Sequence, residues 1–169
     1  MESVRLTFQF DRKEYVKAVR RYLFACRTIT KRDLILLSIC LPASILYQYY
    51  FAISLASFIL FLNLALPAVA IWLLYFVIPP RTYKRTAQLR EEYTYVFTLN
   101  YILVEELGTN SEVDWETYVD LWESEEFYFL MKTLRKYTII PKRAFGSPEE
   151  KKWFERFASM NLSMSKRLL

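Results

Sequence analysis

The fold is decided by the stretch from Leu34 to Ile78, which reads LILLSICLPASILYQYYFAISLASFILFLNLALPAVAIWLLYFVI. These 45 consecutive residues contain no Asp, Glu, Lys or Arg. A helix that crosses a bilayer needs about 20 mostly apolar residues, so the stretch is long enough for two such helices and a tight turn. The sequence therefore predicts a transmembrane hairpin over residues 33–79, with spans at 33–50 and 54–78 and a turn at 49–54.

The charges on either side of the hairpin predict its orientation. Lys31 and Arg32 precede it, Arg81, Lys84 and Arg85 follow it, and the turn between the spans carries no charge. Because loops rich in Lys and Arg stay on the cytoplasmic side, we expect both termini in the cytoplasm. The same basic residues are candidates for contact with anionic lipid headgroups.

The segment before the hairpin is expected to hold a strand and a basic helix. Over Val4–Phe10 apolar and polar residues alternate, which is typical of a half-buried strand. Asp11 then offers a helix N-cap with Glu14 at the capping-box spacing, and the helix runs from Arg12 to about Thr30. Either this helix packs on the C-terminal part as an ordinary amphipathic helix, or it lies against the membrane surface.

After the hairpin the pattern predicts a helical extension at residues 80–92 and then a sheet. From Tyr93 onwards apolar and polar residues alternate again, and turn signals separate about five or six short antiparallel strands. Ser147, Pro148 and Glu150 predict the start of a C-terminal helix, with an N-cap serine and a proline in the first turn. A frayed tail is expected to follow this helix.

The predicted fold class is a membrane α+β protein. A two-helix transmembrane hairpin carries a cytoplasmic antiparallel sheet, which a C-terminal helix closes with Trp153, Phe154 and Phe157. These three residues and Met160 form one apolar stripe on the helix. This order is typical of a pleckstrin-homology-like (PH-like) barrel. We also predict that the first strand or its helix packs back on the C-terminal sheet, which makes the hairpin an insertion. The expected segments are 1–32, 33–79, 80–92, 93–162 and the tail 163–169.

The most recognisable stretch of the chain is IIPKRAF at Ile139–Phe145. It follows Trp115, an acidic hairpin and an aromatic strand, and it precedes a short helix. Together with the upstream strand, helix and two spans, this order resembles the YcxB-like family of small bacterial membrane proteins. The resemblance implies the bacterial inner membrane, a multi-pass anchor and a PH-like cytoplasmic domain, but it implies no particular reaction.

Composition argues against several classes of active site. The chain has no histidine and only two glycines, so imidazole catalysis and glycine-rich phosphate loops are excluded. We expect no catalytic residues, no metal and no cofactor, and we predict that the protein is not an enzyme. Cys26 and Cys40 are expected to be free thiols, in agreement with a cytoplasmic soluble part.

Three groups of polar residues remain as candidates. The acidic residues of 105–126 are interpreted as a solvated face that could also dock the basic helix at 12–27. Lys142 and Arg143, with Lys136, could contact lipid phosphates. The alternative is that Lys142 and Arg143 only mark the end of a strand. Asn63 is expected to form a hydrogen bond between the two spans.

These features together predict a non-enzymatic, membrane-anchored interaction or regulatory module. The expected partners are membrane lipid and either a protein partner or further copies of the chain. Neither nucleic acid nor a small-molecule substrate is expected. The alternative is an immunity or defence accessory protein that acts against a membrane-active toxin, a role that the family resemblance suggests.

Overall fold

A computed structural model describes residues 3–26, 28, 30–50, 55–106, 109–133 and 136–167. The chain divides into two compact units. One unit joins Met1–Ala18 to Tyr83–Leu169 and holds the sheets, and the other is the helical segment Val19–Thr82.

The first sheet contains the strand that precedes the hairpin. Its four antiparallel strands lie in the order β1 (Ser3–Gln9), β2 (Glu92–Thr98), β3 (Tyr101–Glu106) and β4 (Thr109–Asp114). Along β1 every second side chain is buried, as the alternating sequence predicts. Pairing of β1 with β2, Ser3 opposite Thr98, confirms that the first strand packs back on the C-terminal sheet.

The second sheet includes a strand that the sequence does not reveal. Its order is β7 (Lys136–Pro141), β6 (Phe127–Thr133), β5 (Asp120–Glu123) and β8 (Ser163–Arg167). The expected frayed tail is therefore wrong for 163–167, and residues 168–169 lie outside the described part. The physical reason is the open edge of β5, whose backbone groups pair with β8 in a parallel arrangement.

The C-terminal helix α5 (Pro148–Asn161) closes the core of this unit, as predicted. The Ser147 hydroxyl accepts a hydrogen bond from the Glu150 amide at 3.2 Å, and the Glu150 carboxylate accepts one from the Gly146 amide at 2.7 Å. Phe154 is fully buried, with its ring 4.9 Å from Phe97 of the first sheet and 5.2 Å from Tyr128 of the second. One aromatic ring thus joins both sheets to the helix.

The second unit contains two helices that are long and apolar enough to cross a membrane, as judged by length and composition. The helices of the chain before β2 are α1 (Arg12–Ala25), α2 (Lys31–Tyr50), α3 (Leu55–Trp72) and α4 (Ile78–Arg85), with a π-helical turn at Leu73–Val77 between the last two. The most apolar part of each helix, within Arg32–Tyr50 and within Phe58–Arg85, has no residue that is buried in the protein. Of the predicted turn at 49–54, Tyr49 and Tyr50 are still helical, and 51–54 lie outside the described residues.

Two predicted helix boundaries differ from the structure. The basic helix ends at Ala25 rather than near Thr30, because Thr30 instead caps the next helix: its hydroxyl accepts from the Asp33 amide at 3.2 Å, and the Asp33 carboxylate accepts from the Thr30 amide at 3.0 Å. In the predicted extension at 80–92, the α-helix ends at Arg85 and a 3₁₀ turn follows at Gln88–Arg90. The extension stops before residue 92, because Glu92 pairs with Gln9 in the first sheet.

The junction between α3 and α4 is built around two prolines. In an α-helix the Tyr75 carbonyl would accept a hydrogen bond from the backbone N–H of residue 79, and in a π-helix from that of residue 80. Residues 79 and 80 are both proline and have no N–H to donate. The Arg20 side chain takes their place as donor, with Nε donating to this carbonyl at 3.2 Å. The Arg20 guanidinium also lies over the Tyr75 ring at 4.4 Å. Arginine thus satisfies a backbone group that the helix itself cannot.

Candidate interaction surfaces

The basic residues predicted to flank the hairpin lie at helix ends. Arg32 is exposed in the first turn of α2, and Arg81, Lys84 and Arg85 lie along α4. Lys31 is the first residue of α2, and its side chain is outside the described part. These positions keep the charges at the ends of the two apolar segments.

Lys142 is engaged inside the protein rather than presented at its surface. Its ammonium lies 2.6 Å from Oε1 of Glu123, and both side chains are only 17% exposed. The same ammonium lies 4.7 Å from the centre of the Tyr128 ring. Of the two alternatives for Lys142, the geometry favours a residue that fixes the end of β7, where a 3₁₀ turn begins.

Arg143 is held by the start of α1. Its Nε and one terminal nitrogen each donate to the Glu14 carboxylate at 2.6 Å, and the terminal nitrogen also donates to the Gln9 carbonyl at 2.7 Å. The hydrogen bonds with Glu14 raise the pKa of Arg143 above its ordinary value. Glu14 therefore does not complete the predicted capping box, although Asp11 does accept from the Lys13 amide at 3.2 Å.

Asn63 forms its hydrogen bond within one helix. Its side-chain amide donates to the Ile59 carbonyl at 2.9 Å, one turn earlier in α3, rather than to α2 as expected. The reason is geometric, since a side chain at i reaches the carbonyl at i−4 of its own helix without any second partner.

Ion pairs join the acidic group of residues 105–126 to the N-terminal segment. Lys17 of α1 lies 2.6 Å from Glu126, and Arg5 of β1 lies 2.9 Å from Glu105. The suggested docking of the basic helix on acidic residues is therefore seen at Lys17. Among the described residues, no group of three or more His, Cys, Asp or Glu side chains is placed to hold a metal ion.

A largely apolar groove of the β-rich unit lies beside α5. It has a volume of about 660 Å³ and lies between the β2–β3 turn and the helix; its lining is Ser3, Thr98, Leu99, Asn100, Tyr101, Trp153, Arg156, Phe157 and Met160. Leu99 and Met160 are 48% and 58% exposed. We call these nine residues the α5 groove. Met160 continues the apolar stripe of α5 and is exposed at this edge.

One edge of the α5 groove carries the positive charge of Arg156, and the other edge is hydrogen-bonded to the β2–β3 turn. The Arg156 guanidinium lies 5.2 Å from the centre of the Trp153 ring, and it forms no ion pair among the described residues. At the end of α5, the Asn161 side chain donates to the Leu99 carbonyl at 2.9 Å. This contact holds the β2–β3 turn against the helix. The sequence carried no signal for the groove, because its walls come from segments more than 50 residues apart.

Comparison with known proteins finds a family whose model matches part of the β-rich unit. Residues 97–158 match the YcxB-like protein family. The YcxB-like segment begins in β2 and ends in α5, so it includes β3 to β7 but none of the apolar helices. The resemblance predicted from the sequence is thus confirmed over this segment. No curated protein and no solved structure matches the chain.

Proposed function

We propose that the protein is a non-enzymatic, membrane-anchored interaction module of the bacterial inner membrane, which presents a PH-like domain to the cytoplasm. The observation that carries the proposal is the pair of apolar helices. The most apolar part of each one has no residue that is buried in the protein. An apolar surface of this extent is stable in lipid and unfavourable in water. Basic residues at the outer ends of both helices support a hairpin with cytoplasmic termini.

The arrangement of strands supports the PH-like assignment. A four-stranded antiparallel sheet is followed in the chain by three further antiparallel strands and then by a helix that packs on both sheets. A PH-like barrel has this same order of one sheet, a second sheet and a closing helix. The hairpin leaves the domain after β1 and returns before β2, so both ends of the anchor join the same sheet.

The α5 groove is the surface proposed to bind the partner. Its floor is apolar, and Arg156 at its edge forms no ion pair among the described residues. A partner that matches this chemistry is a protein segment with a large apolar side chain next to a carboxylate. The apolar side chain would cover Leu99 and Met160, and the carboxylate would pair with Arg156.

The membrane topology can be tested with the native cysteines. In a Cys40→Ser variant, Cys26 is expected to react with a membrane-impermeant maleimide in inside-out vesicles but not in intact spheroplasts. In a Cys26→Ser variant, Cys40 lies inside α2 and is expected to be protected in both preparations. A Leu55→Cys variant without the native thiols is the matched control and should label only from the outside. Labelling of Cys26 in spheroplasts would overturn the proposed orientation.

The groove can be tested by photo-crosslinking in living cells. A photo-reactive residue at Met160 is expected to give an adduct with a segment that contains an acidic residue, and Arg156→Glu is expected to abolish that adduct. Val119 is the matched control, because it is apolar and 66% exposed but does not line the groove. Equal adducts at both positions, or an adduct that persists in Arg156→Glu, would contradict the proposed docking surface.

A further inference from the structure

A second concave site lies in the β-rich unit, away from the α5 groove. It is formed by the end of β1, the start of α1, the beginning of β2 and the β6–β7 hairpin. Its volume is about 420 Å³, within the range of roughly 300–1,000 Å³ that is common for small-molecule sites. The lining residues are Phe10, Tyr15, Leu89, Tyr93, Tyr95, Lys132, Lys136, Tyr137, Thr138 and Ile139, which we call the tyrosine–lysine pocket.

The charge of this pocket is entirely positive. Lys132 and Lys136 are the charged residues among its lining, and no Asp or Glu is part of it. Neither lysine forms an ion pair within the described part of the chain. The Lys132 ammonium lies 4.9 Å from the centre of the Tyr118 ring, so its polar contact is with an aromatic face. Two ammonium groups in one pocket without a carboxylate favour an anionic ligand.

The walls of the pocket are aromatic rings in mutual contact. The Phe10 ring lies 6.2 Å from both Tyr15 and Tyr93, and Tyr93 lies 6.1 Å from Tyr95. Burial raises the pKa of Tyr15, so its phenol remains protonated at neutral pH. The walls therefore offer ring surface for an organic group, and the ligand's charge must be met by the lysines.

We propose that the tyrosine–lysine pocket binds a phosphate ester, with the phosphate oxygens held by Lys132 and Lys136 and the organic part packed on the tyrosine walls. The tetrahedral phosphate accepts hydrogen bonds in several directions, so ammoniums from two strands of one hairpin reach it together. An uncharged ligand would gain no charge attraction from the two ammoniums, so the pocket favours an anion over it. The ester is bound and not converted.

Two sources supply this chemistry, namely a lipid headgroup and a soluble phosphate ester. The site differs from the basic helix ends considered above, and it does not depend on the orientation of the hairpin. A failed maleimide test of the anchor would therefore leave this proposal standing, and the reverse also holds.

The experiment uses the full chain in nanodiscs of neutral phosphatidylcholine, titrated with glycerol 3-phosphate and followed by phosphorus NMR. We expect saturable binding to the unaltered protein. Lys132→Gln and Lys136→Gln are each expected to weaken it about tenfold, and the double variant to abolish it. Lys13→Gln changes an exposed lysine outside the pocket and should bind as the unaltered protein does. Near-UV circular dichroism of each variant checks that the fold is retained.

Two further arms identify the ligand class and its source. Succinate, with two carboxylates and no phosphate, is expected to bind much more weakly than the ester. In nanodiscs that contain phosphatidylglycerol, a headgroup that occupies the pocket should compete with glycerol 3-phosphate and lower its apparent affinity. If the ligand is a soluble ester, that affinity should be the same as in neutral nanodiscs. The proposal is overturned if succinate binds as well as the ester or if the double variant binds normally. It is also overturned if neither the ester nor phosphatidylglycerol shows lysine-dependent binding.

Discussion

Replacing Arg20 by alanine is expected to release α1 from the π-helical turn that precedes α4. The Arg20 Nε donates to the Tyr75 carbonyl at 3.2 Å, and the guanidinium lies 4.4 Å from the Tyr75 ring and 5.3 Å from the Phe76 ring. Alanine removes all three contacts. It also leaves the Tyr75 carbonyl without a hydrogen-bond donor, because residues 79 and 80 are prolines.

The size of the effect follows from these contacts. A hydrogen bond from a charged donor contributes about 1.5–3 kcal/mol. A cation–π contact at a partly exposed site adds about 0.5–1 kcal/mol. Arg20 is half-buried, so solvent screens part of this interaction. We therefore expect Arg20→Ala to lower the free energy of unfolding by about 2 kcal/mol, which is roughly a 30-fold change in the opening equilibrium.

The reasoning is tested most directly by a double-mutant cycle. Pro79→Ala restores a backbone N–H that can bond the Tyr75 carbonyl, so Arg20→Ala should cost less in that background. We expect a coupling free energy of about 1 kcal/mol between the two substitutions. Arg20→Lys is the matched control, since it keeps the positive charge but loses the Nε donor, and its effect should be intermediate.

The assay is unfolding of the full chain in detergent micelles as the fraction of SDS rises. In a Cys40→Ser background, the reaction of Cys26 with a maleimide reports on the end of α1, just beyond Ala25. The argument is refuted if Arg20→Ala shifts the unfolding free energy by less than about 0.5 kcal/mol, the range of ordinary surface substitutions. It also fails if the loss is the same in the unaltered chain and in the Pro79→Ala background.

Three other predictions concern the β-rich unit. Phe154→Ala should cost about 3–5 kcal/mol in chemical denaturation, because the ring is fully buried between both sheets; a loss under about 1 kcal/mol would contradict this. Burial raises the pKa of Tyr118 above 10.0, so its contribution to stability is complete below that pH. That contribution is lost as the pH rises through the higher pKa that Tyr118 has in the folded state. In Tyr118→Phe the melting temperature should therefore fall less steeply at alkaline pH. Lys142→Met should cost about 3 kcal/mol by removing its half of the Lys142–Glu123 ion pair, and adding Glu123→Leu should restore part of that loss. Additive losses would show that the two residues are not coupled.

Much of the fold followed from local patterns. Alternation over Val4–Phe10 and again from Tyr93 predicted β1 and β2, and the Ser147–Pro148 signal predicted the start of α5. Even the return of β1 to the later sheet was predicted, since the hairpin brings the chain back to its starting point. Strand β8 was missed, because its sequence shows no alternation and its pairing depends on the open edge of β5.

The candidate surfaces were less accessible from the sequence than the fold. Lys142 and Arg143 were noticed as a basic pair, but Glu123 and Glu14, which bind them, lie 19 and 129 residues away. No local spacing reveals such partners. The α5 groove was hidden for a similar reason, because a helical stripe does not show which of its members, here Met160, reaches solvent.

The insertion of the hairpin between β1 and β2 has a consequence for synthesis. Ser3 pairs with Thr98, so 95 further residues must be made before the first strand meets its partner. In the proposed topology, the ribosome completes both apolar helices while the buried face of β1, Val4, Leu6 and Phe8, is still uncovered. A chain whose second helix failed to insert would carry β2 to β8 across the bilayer from β1. Only correctly inserted chains can then complete the first sheet, so folding of the cytoplasmic part acts as a check on insertion.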